Sequence, residues 1–145
     1  MAYEIRTQII IQSPAAKVWQ VLTDFPSYPN WNPFIRSISG SLSVGQQSKV
    51  EIQPPGQKAM RFKPRLLIIE NHKKLVWKGK VLLPGLLDGE HIFELAPTTY
   101  QTTHFTHREI FTGIFVGMLI KPNTQSIKQG FEQMNEQLRL KCQQS

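Results

Sequence analysis

Three ionisable side chains, His91, His107 and Glu109, share an alternation phase with a row of aromatic residues. From Glu90 to Ala96, His91, Phe93 and Leu95 alternate with Glu90, Ile92 and Glu94. From Tyr100 to Phe111, Phe105, His107, Glu109 and Phe111 alternate with His104, Thr106, Arg108 and Ile110. Strand side chains point alternately to opposite faces, and the aromatic phase is expected to face inward. Imidazoles and a carboxylate on an apolar face could orient a ligand carbonyl or hydroxyl, or shuttle protons with pKa values moved by burial. Two histidines and a glutamate are also a thinkable metal set. No compact ligand motif such as H-E-x-x-H is present, however, and no metal is assigned. The plain alternative is that the three groups satisfy each other, or water, as buried polar spots. Catalytic roles are rarer than polar groups in a cavity, so no catalytic residue is assigned.

Other chemical signatures fail. The chain has no P-loop, no Gly-x-Gly-x-x-Gly and no Gly-x-Ser-x-Gly nucleophile elbow, so no cofactor is implied. Cys142 is the single cysteine, which excludes an intrachain disulfide and any zinc-binding cysteine pair. It has no neighbouring histidine, and its place on an apolar helix stripe implies burial rather than nucleophilicity.

These groups must be positioned by one domain spanning residues 1–145, with 40% hydrophobic and 19% charged residues. Tyr3–Ile11 alternates with period two and reads as a half-buried strand. Ser13-Pro14 predicts a helix N-cap followed by proline in the first turn. Val18, Val21 and Leu22 form the buried stripe of that short helix, with Trp19 on its flank. Pro26, Pro29 and Pro33 then allow at most one helical turn, near Tyr28–Trp31. Strands are expected near Phe34–Leu42, Ser48–Gln53, Met60–Asn71, Lys74–Leu82, Glu90–Ala96 and Tyr100–Phe111, joined by short turns as an antiparallel meander. Gly113–Ile120 is almost wholly apolar and reads as an extra helical turn or a cavity-capping loop. Ile127, Phe131, Met134, Leu138 and Cys142 then mark one face of a long amphipathic helix starting near Pro122 and Asn123. Laying that helix across the concave face of one curved sheet buries both apolar surfaces. The fold class is α+β: a curved antiparallel sheet of about seven strands wrapped around a long C-terminal helix, with two short helices after the first strand.

Several strings carry a family resemblance. They are Ser13-Pro14 with Val18-Trp19; the run Asp24–Phe34, whose Trp31-Asn32-Pro33-Phe34 is the most specific piece; Leu75–Trp77 with Gly79; Gly89-Glu90-His91 with Phe93; Thr106-His107 with Phe111 and Gly113; and Gly130-Phe131-Glu132 with Met134-Asn135. Together with the element order, they resemble the polyketide cyclase/dehydrase-like branch of the START and birch-pollen-allergen (SRPBCC) superfamily over essentially the whole chain. The resemblance implies a helix-grip fold with a cavity between sheet and long helix, and a lipid, sterol, polyketide or other apolar ligand. Few members share a catalytic residue, so chemistry does not follow from the fold.

Within that frame the expected ligand-binding set is Trp31, Asn32, Phe62, Trp77, His91, Phe93, Phe105, His107, Glu109, Phe111, Phe131 and Met134. Trp77 is placed inward because Lys74, Lys78 and Lys80 occupy the opposite phase. Met60, Phe62, Pro64, Leu66 and Ile68 are expected inward, opposite Arg61, Lys63 and Arg65. Trp31 and Asn32 are expected beside the cavity mouth as a lid or ligand contact, with a packed turn as the favoured alternative. Met118 and Met134 offer an adaptable lining or plain core. The leading function is binding of a small hydrophobic molecule. One alternative is a cyclase/dehydratase-type enzyme using His91, His107 and Glu109 for acid–base chemistry.

Charge supplies a third reading. Of 17 basic residues, nine lie between Lys49 and Lys80, opposed there by Glu51 and Glu70, so this stretch holds the whole net charge of +7. Arg61, Lys63, Arg65, Lys78 and Lys80 are expected to gather on the convex face of one hairpin. That patch could meet an anionic surface or an acidic partner. The favoured alternative is a solvated face whose lysines discourage edge pairing. Sequence-specific nucleic-acid binding is not expected, because the aromatics alternate away from the charges. No 18-residue apolar run predicts a transmembrane helix, and Glu4 stands where a secretory apolar core would begin, so a cytoplasmic location is expected.

Overall fold

The computed structural model describes residues 2–80 and 85–144. The first strand, β1 (Ala2–Ile11), buries Ile5, Thr7 and Ile11 and turns Glu4, Arg6 and Gln8 outward. Two short helices follow, α1 (Ala15–Thr23) and the single turn α2 (Tyr28–Trp31). Pro14 rather than Ser13 occupies the N-cap of α1, without a side-chain cap. Ser13 is instead buried, and its carbonyl accepts a hydrogen bond from Thr103 Oγ1 at 2.8 Å. The buried stripe of α1 is Val18, Trp19 and Leu22, with Val21 half-buried; Trp19 and Val21 exchange their expected roles. Tyr28, fully buried, donates its hydroxyl proton to the Leu22 carbonyl and anchors the proline-rich turn.

Among the described residues seven further strands follow: β2 (Ile35–Ser39), β3 (Lys49–Ile52), β4 (Met60–Phe62), β5 (Arg65–Glu70), β6 (Lys74–Lys80), β7 (Asp88–Thr99) and β8 (Thr102–Thr112). Val81-Leu82, the end of the strand expected over Lys74–Leu82, and Pro84 of the short turn expected at Pro84-Gly85 lie outside the described residues. Pairing is antiparallel throughout, in the orders β1-β8-β7-β6-β5 and β2-β3-β4. The strand expected over Met60–Asn71 is two strands. Pro64 has no N–H for a ladder, and the chain breaks at Lys63-Pro64. Gly45 N, Ser48 N and a Gln47–Arg65 bridge then join the two sheets around this corner. A bulge between Leu66 and Ile68 changes the phase of β5: Leu66 pairs with Trp77 and Ile69 with Leu75, while Ile68 stands opposite Val76. Ile68 is therefore on the convex face, not the concave one, because one inserted residue reverses the alternation.

Gly113 ends β8 with φ 119°, and a Cβ there would overlap the Leu86 carbonyl. Its bare Cα lets the chain turn into the wide helical turn Val116–Ile120, and α3 (Thr124–Gln143) follows. This long helix buries Gly130, Phe131, Met134, Asn135, Leu138 and Cys142. It packs on α1 and β1. Phe93, Phe105 and Phe131, none of them measurably exposed, fill the middle of the groove between helix and sheet. Outside the sheet, Arg108 donates to Glu94 at 2.8 Å and to Glu4 at 2.9 Å, tying β1, β7 and β8 together. The architecture is a helix-grip α+β fold.

Candidate functional site

A half-enclosed cavity of about 260 Å³ lies under the N-terminal end of α3. Its floor is the concave face of β6–β8, through Trp77, Gly79, Leu87, Gly89, His91, Glu109 and Phe111. Its far wall comes from β3, β4 and the corner between the sheets, through Val50, Ile52, Pro54, Phe62 and Pro64. Ile120 and Ile127 roof it, and Phe34 closes its inner end. Met60 and Leu119 also line it yet are 40% exposed, so they mark its opening. At that opening Gln57 Nε2 donates to Asn123 Oδ1 at 3.2 Å, and Asn123 Nδ2 donates to the Leu119 carbonyl at 2.8 Å. The lining is otherwise apolar except for His91 and Glu109, the composition of a site for a mainly hydrophobic molecule.

The three ionisable residues singled out from sequence meet here. His91 Nε2 lies 2.7 Å from His107 Nε2. His91 Nδ1 is 3.4 Å from Glu109 Oε1 without an aligned hydrogen bond. His107 Nδ1 is 2.9 Å from Asn135 Oδ1, Asn135 Nδ2 donates to Thr7 Oγ1 at 2.8 Å, and Thr7 Oγ1 donates to the His107 carbonyl at 2.9 Å. A polar chain thus runs from Glu109 in the cavity wall to β1 and α3 in the core. His91, His107 and Asn135 are at most 2% exposed. Burial, reinforced by His91, holds the His107 pKa well below its ordinary value, while the Asn135 hydrogen bond opposes the shift. Phe131 stacks on His107, with ring centroids 4.1 Å apart. Thr7 and Asn135 were not singled out from sequence. Both signals were present: Thr7 sits in the inward phase of the first strand, and Asn135 lies four residues after Phe131, beside the apolar stripe.

The other expected ligand-binding residues divide into wall, core and remote groups. Phe62, Trp77, His91, Glu109 and Phe111 line the cavity. Phe93, Phe105, His107, Phe131 and Met134 face the groove but are buried in the packed core beside it. Trp31 and Asn32 lie at the other end of α3, on a shallow depression with Leu140 and Lys141. There Asn32 Oδ1 accepts the backbone N–H groups of Phe34 and Ile35 at 3.0 and 2.9 Å, and Trp31 packs edge-on to Tyr28 at 5.1 Å. They form a packed turn and do not border the cavity mouth. Met118 is 66% exposed and outside the lining. Cys142 is buried, and burial pushes its thiol up to about 12, so it is not a thiolate nucleophile.

The basic residues do not gather as expected. Arg61 belongs to β4, in the other sheet, and pairs with Glu51 at 3.2 Å. Arg65 stands opposite Lys78, but Lys78 also faces Glu90 and Lys80 faces Asp88 across β7. Lys63 lies at the break between β4 and β5. Among the described residues no cluster of three or more His, Cys, Asp or Glu could hold a metal ion, and no helix is long and apolar enough to cross a membrane.

A curved sheet gripping a long helix over an apolar cavity defines a class of ligand-cavity proteins, and the comparisons agree. Residues 2–139 match the family described as polyketide cyclase/dehydrase and lipid transport, and the chain belongs to that family. No curated protein matches the chain. Among solved structures it is similar to the ginseng major latex-like protein 151 from Panax ginseng (13% identity, TM-score 0.79, 99% of each chain covered). It is also similar to the Zhui aromatase/cyclase from Streptomyces (12%, 0.76, 98% of this chain and 94% of that one). A third is norcoclaurine synthase from Thalictrum flavum, in complex with dopamine and hydroxybenzaldehyde (13%, 0.75, 100% and 90%). At these identities the likeness is one of fold.

Proposed function

We propose that this protein binds a small hydrophobic molecule of lipid, polyketide or aromatic type in the cavity between β3–β8 and α3. The observation that carries the reading is the half-enclosed cavity itself, apolar on nearly every side, with its polar groups concentrated at His91 and Glu109. Sites of this composition draw affinity from buried apolar area and orientation from a few polar contacts. The family and the fold neighbours support it, since they include a protein solved with two aromatic molecules bound. Native mass spectrometry of gently purified protein tests it. A co-purified apolar molecule, displaced when Leu87 is enlarged to Trp or replaced by a charged residue, is the expected result. Protein that neither carries nor takes up any apolar molecule would overturn it.

The chain of Glu109, His91 and His107 favours a second reading, acid–base turnover of the bound molecule. A carboxyl group on the cavity wall, backed by an imidazole, is the arrangement a general acid or base needs. The two readings separate kinetically. Truncating Glu109 in a binder costs affinity, about 1–3 kcal/mol for one unpaired buried partner. In an enzyme it lowers turnover by roughly 10²–10⁴-fold, at an affinity that need not change.

A further inference from the structure

We propose that the cavity selects a ligand whose apolar body carries a neutral hydroxyl group, a phenol or an alcohol, and that Glu109 Oε2 accepts the hydrogen bond from it. The inference rests on the cavity-binding reading and adds the chemistry of the ligand's polar end.

The hydrogens along the buried chain are ordered from its inner end. Thr7 Oγ1 has one proton and gives it to the His107 carbonyl, so it can only accept from Asn135. This places the Asn135 amide nitrogen toward Thr7 and its oxygen toward His107 Nδ1, which must therefore carry a hydrogen. His107 is wholly buried among aromatic rings and neutral, so its Nε2 is bare. His91 Nε2, 2.7 Å away, supplies the hydrogen between the two rings. His91 Nδ1 is left facing Glu109 Oε1 at 3.4 Å. The gap holds no aligned hydrogen bond; a proton shared across it, on Nδ1 or on Oε1, would leave Oε2 bare in either arrangement. A second proton, on Oε2, would leave a net positive charge in an apolar wall.

Both allowed arrangements leave Oε2 an acceptor, and among the described residues Oε2 has no partner. Gly89 makes room for it: a Cβ at that position would overlap Oε2. A ligand that covers Oε2 and displaces solvent from it must therefore bring a donor. A neutral hydroxyl fits better than an ammonium, because the walls around Glu109 and His91 are mainly apolar and offer nothing else to solvate a buried charge. The polar pair at the mouth, Gln57 and Asn123, is engaged with itself and with the Leu119 carbonyl, so the donor is read at Glu109.

Matched bicyclic aromatics test this on the full-length protein, by calorimetry and by quenching of Trp77, which lines the cavity. The probes are 2-naphthol, its methyl ether 2-methoxynaphthalene, the ketone 2-acetylnaphthalene and the cation of 2-naphthylmethylamine. The expected result is 2-naphthol binding roughly 5- to 100-fold tighter than the ether, the range for one hydrogen bond to a charged or buried acceptor. Glu109→Met removes the acceptor and Gly89→Ala displaces it; each should bring the naphthol-to-ether ratio close to one. Glu109→Gln should keep much of the ratio, because the amide nitrogen can donate to His91 Nδ1 and leave the amide oxygen at the position of Oε2. The Gly89 backbone does not adopt a left-handed conformation, so alanine there perturbs Glu109 without straining the chain. Equal binding of naphthol and ether by the parent protein would overturn the hydroxyl inference and leave the cavity reading standing. Preference for the ketone or the cation would overturn it likewise. Binding of none of the four would overturn the cavity reading and this inference with it.

Discussion

Lowering the pH from 7.5 to 5.0 should destabilise this protein by about 2 kcal/mol through His107 alone. The native pKa of His107 lies well below the ordinary value, chiefly because the ring is buried and secondarily because His91 faces it at 2.7 Å, with the Asn135 hydrogen bond opposing the shift. In the unfolded chain the same ring titrates near the ordinary value of about 6.5. A depressed folded pKa means that the stabilising contribution is complete above about 6.5 and is lost as the pH falls below it. In that window the unfolded state binds one more proton than the native state, which costs about 1.4 kcal/mol per pH unit. Counting the rounded onset near the midpoint gives about 2 kcal/mol by pH 5.0. The loss proper to Glu94, whose carboxyl is held below its ordinary range mainly by the Arg108 hydrogen bond, begins only at lower pH and leaves this window clear. The assay is urea unfolding at half-unit steps for the parent protein and for His107→Gln, comparing slopes rather than absolute stabilities. The parent curve should steepen below pH 6.5 and the variant should lack about 1.4 kcal/mol per unit of that slope. Parallel curves would refute the claim that His107 is neutral in the native state.

Phe131→Ala removes a fully buried ring that stacks on His107 and meets Phe34 edge-on at 5.3 Å; it should cost roughly 3–5 kcal/mol in urea unfolding, and a loss under 1 kcal/mol would show that the cavity extends to this ring. Asn32→Ala strips the acceptor from two backbone N–H groups and should cost about 1–3 kcal/mol of stability while leaving apolar-probe affinity unchanged, since Asn32 is remote from the cavity. Gly130→Ala places a methyl against the Phe34 ring and should destabilise by about 1–3 kcal/mol, although alanine is the better helix former; a stabilised variant would show that Phe34 can yield.

The part of the site legible in sequence is the part that strand alternation controls. The period-two reading of β7 and β8 placed His91, His107 and Glu109 on one concave face, and the register brings His91 opposite Glu109 and Phe93 opposite His107. Alternation determines a face but not a depth. Phe93 and Phe105 by strand alternation, and Phe131 and Met134 by the apolar helix stripe, are expected in the cavity wall, and they fill the neighbouring core instead. Nor does alternation survive an inserted residue: the bulge in β5 sent Ile68 outward, and the missing N–H of Pro64 split one expected strand in two and separated Arg61 from Arg65. Trp31 and Asn32 follow two prolines in a turn whose direction depends on the Tyr28 anchor, a tertiary contact with no local sequence signal.

The chain Thr7–Asn135–His107–His91 is expensive for a core to hold, and its cost can be measured. Asn135→Leu removes the acceptor of His107 Nδ1–H and the donor to Thr7 Oγ1; the buried N–H is left unpaired while Thr7 Oγ1 keeps its bond to the His107 carbonyl, and the expected cost is about 1–3 kcal/mol. Replacing the whole inner segment with apolar residues of similar shape, Thr7→Val with His107→Phe and Asn135→Leu, removes the Thr7, Asn135 and His107 polar groups together and leaves only His91 Nε2 without its partner, a ring that can move its hydrogen to Nδ1 on the Glu109 side. Removing both sides of a buried hydrogen bond is often nearly neutral. The triple variant should therefore be more stable than Asn135→Leu alone, despite carrying two more substitutions, and its pH dependence between 7.5 and 5.0 should lose the His107 slope. It should also lose discrimination in the cavity. With His107 gone, nothing fixes the hydrogen on His91 Nε2, and His91 Nδ1 no longer dictates where the Glu109 proton sits. A triple variant less stable than Asn135→Leu would mean that the chain contributes net stability. A triple variant that is more stable and keeps full preference for a hydroxyl-bearing probe would mean that Glu109 is oriented without it. The expected combination, stability regained and discrimination lost, would show that the core tolerates these polar groups for the proton order they impose on the cavity wall.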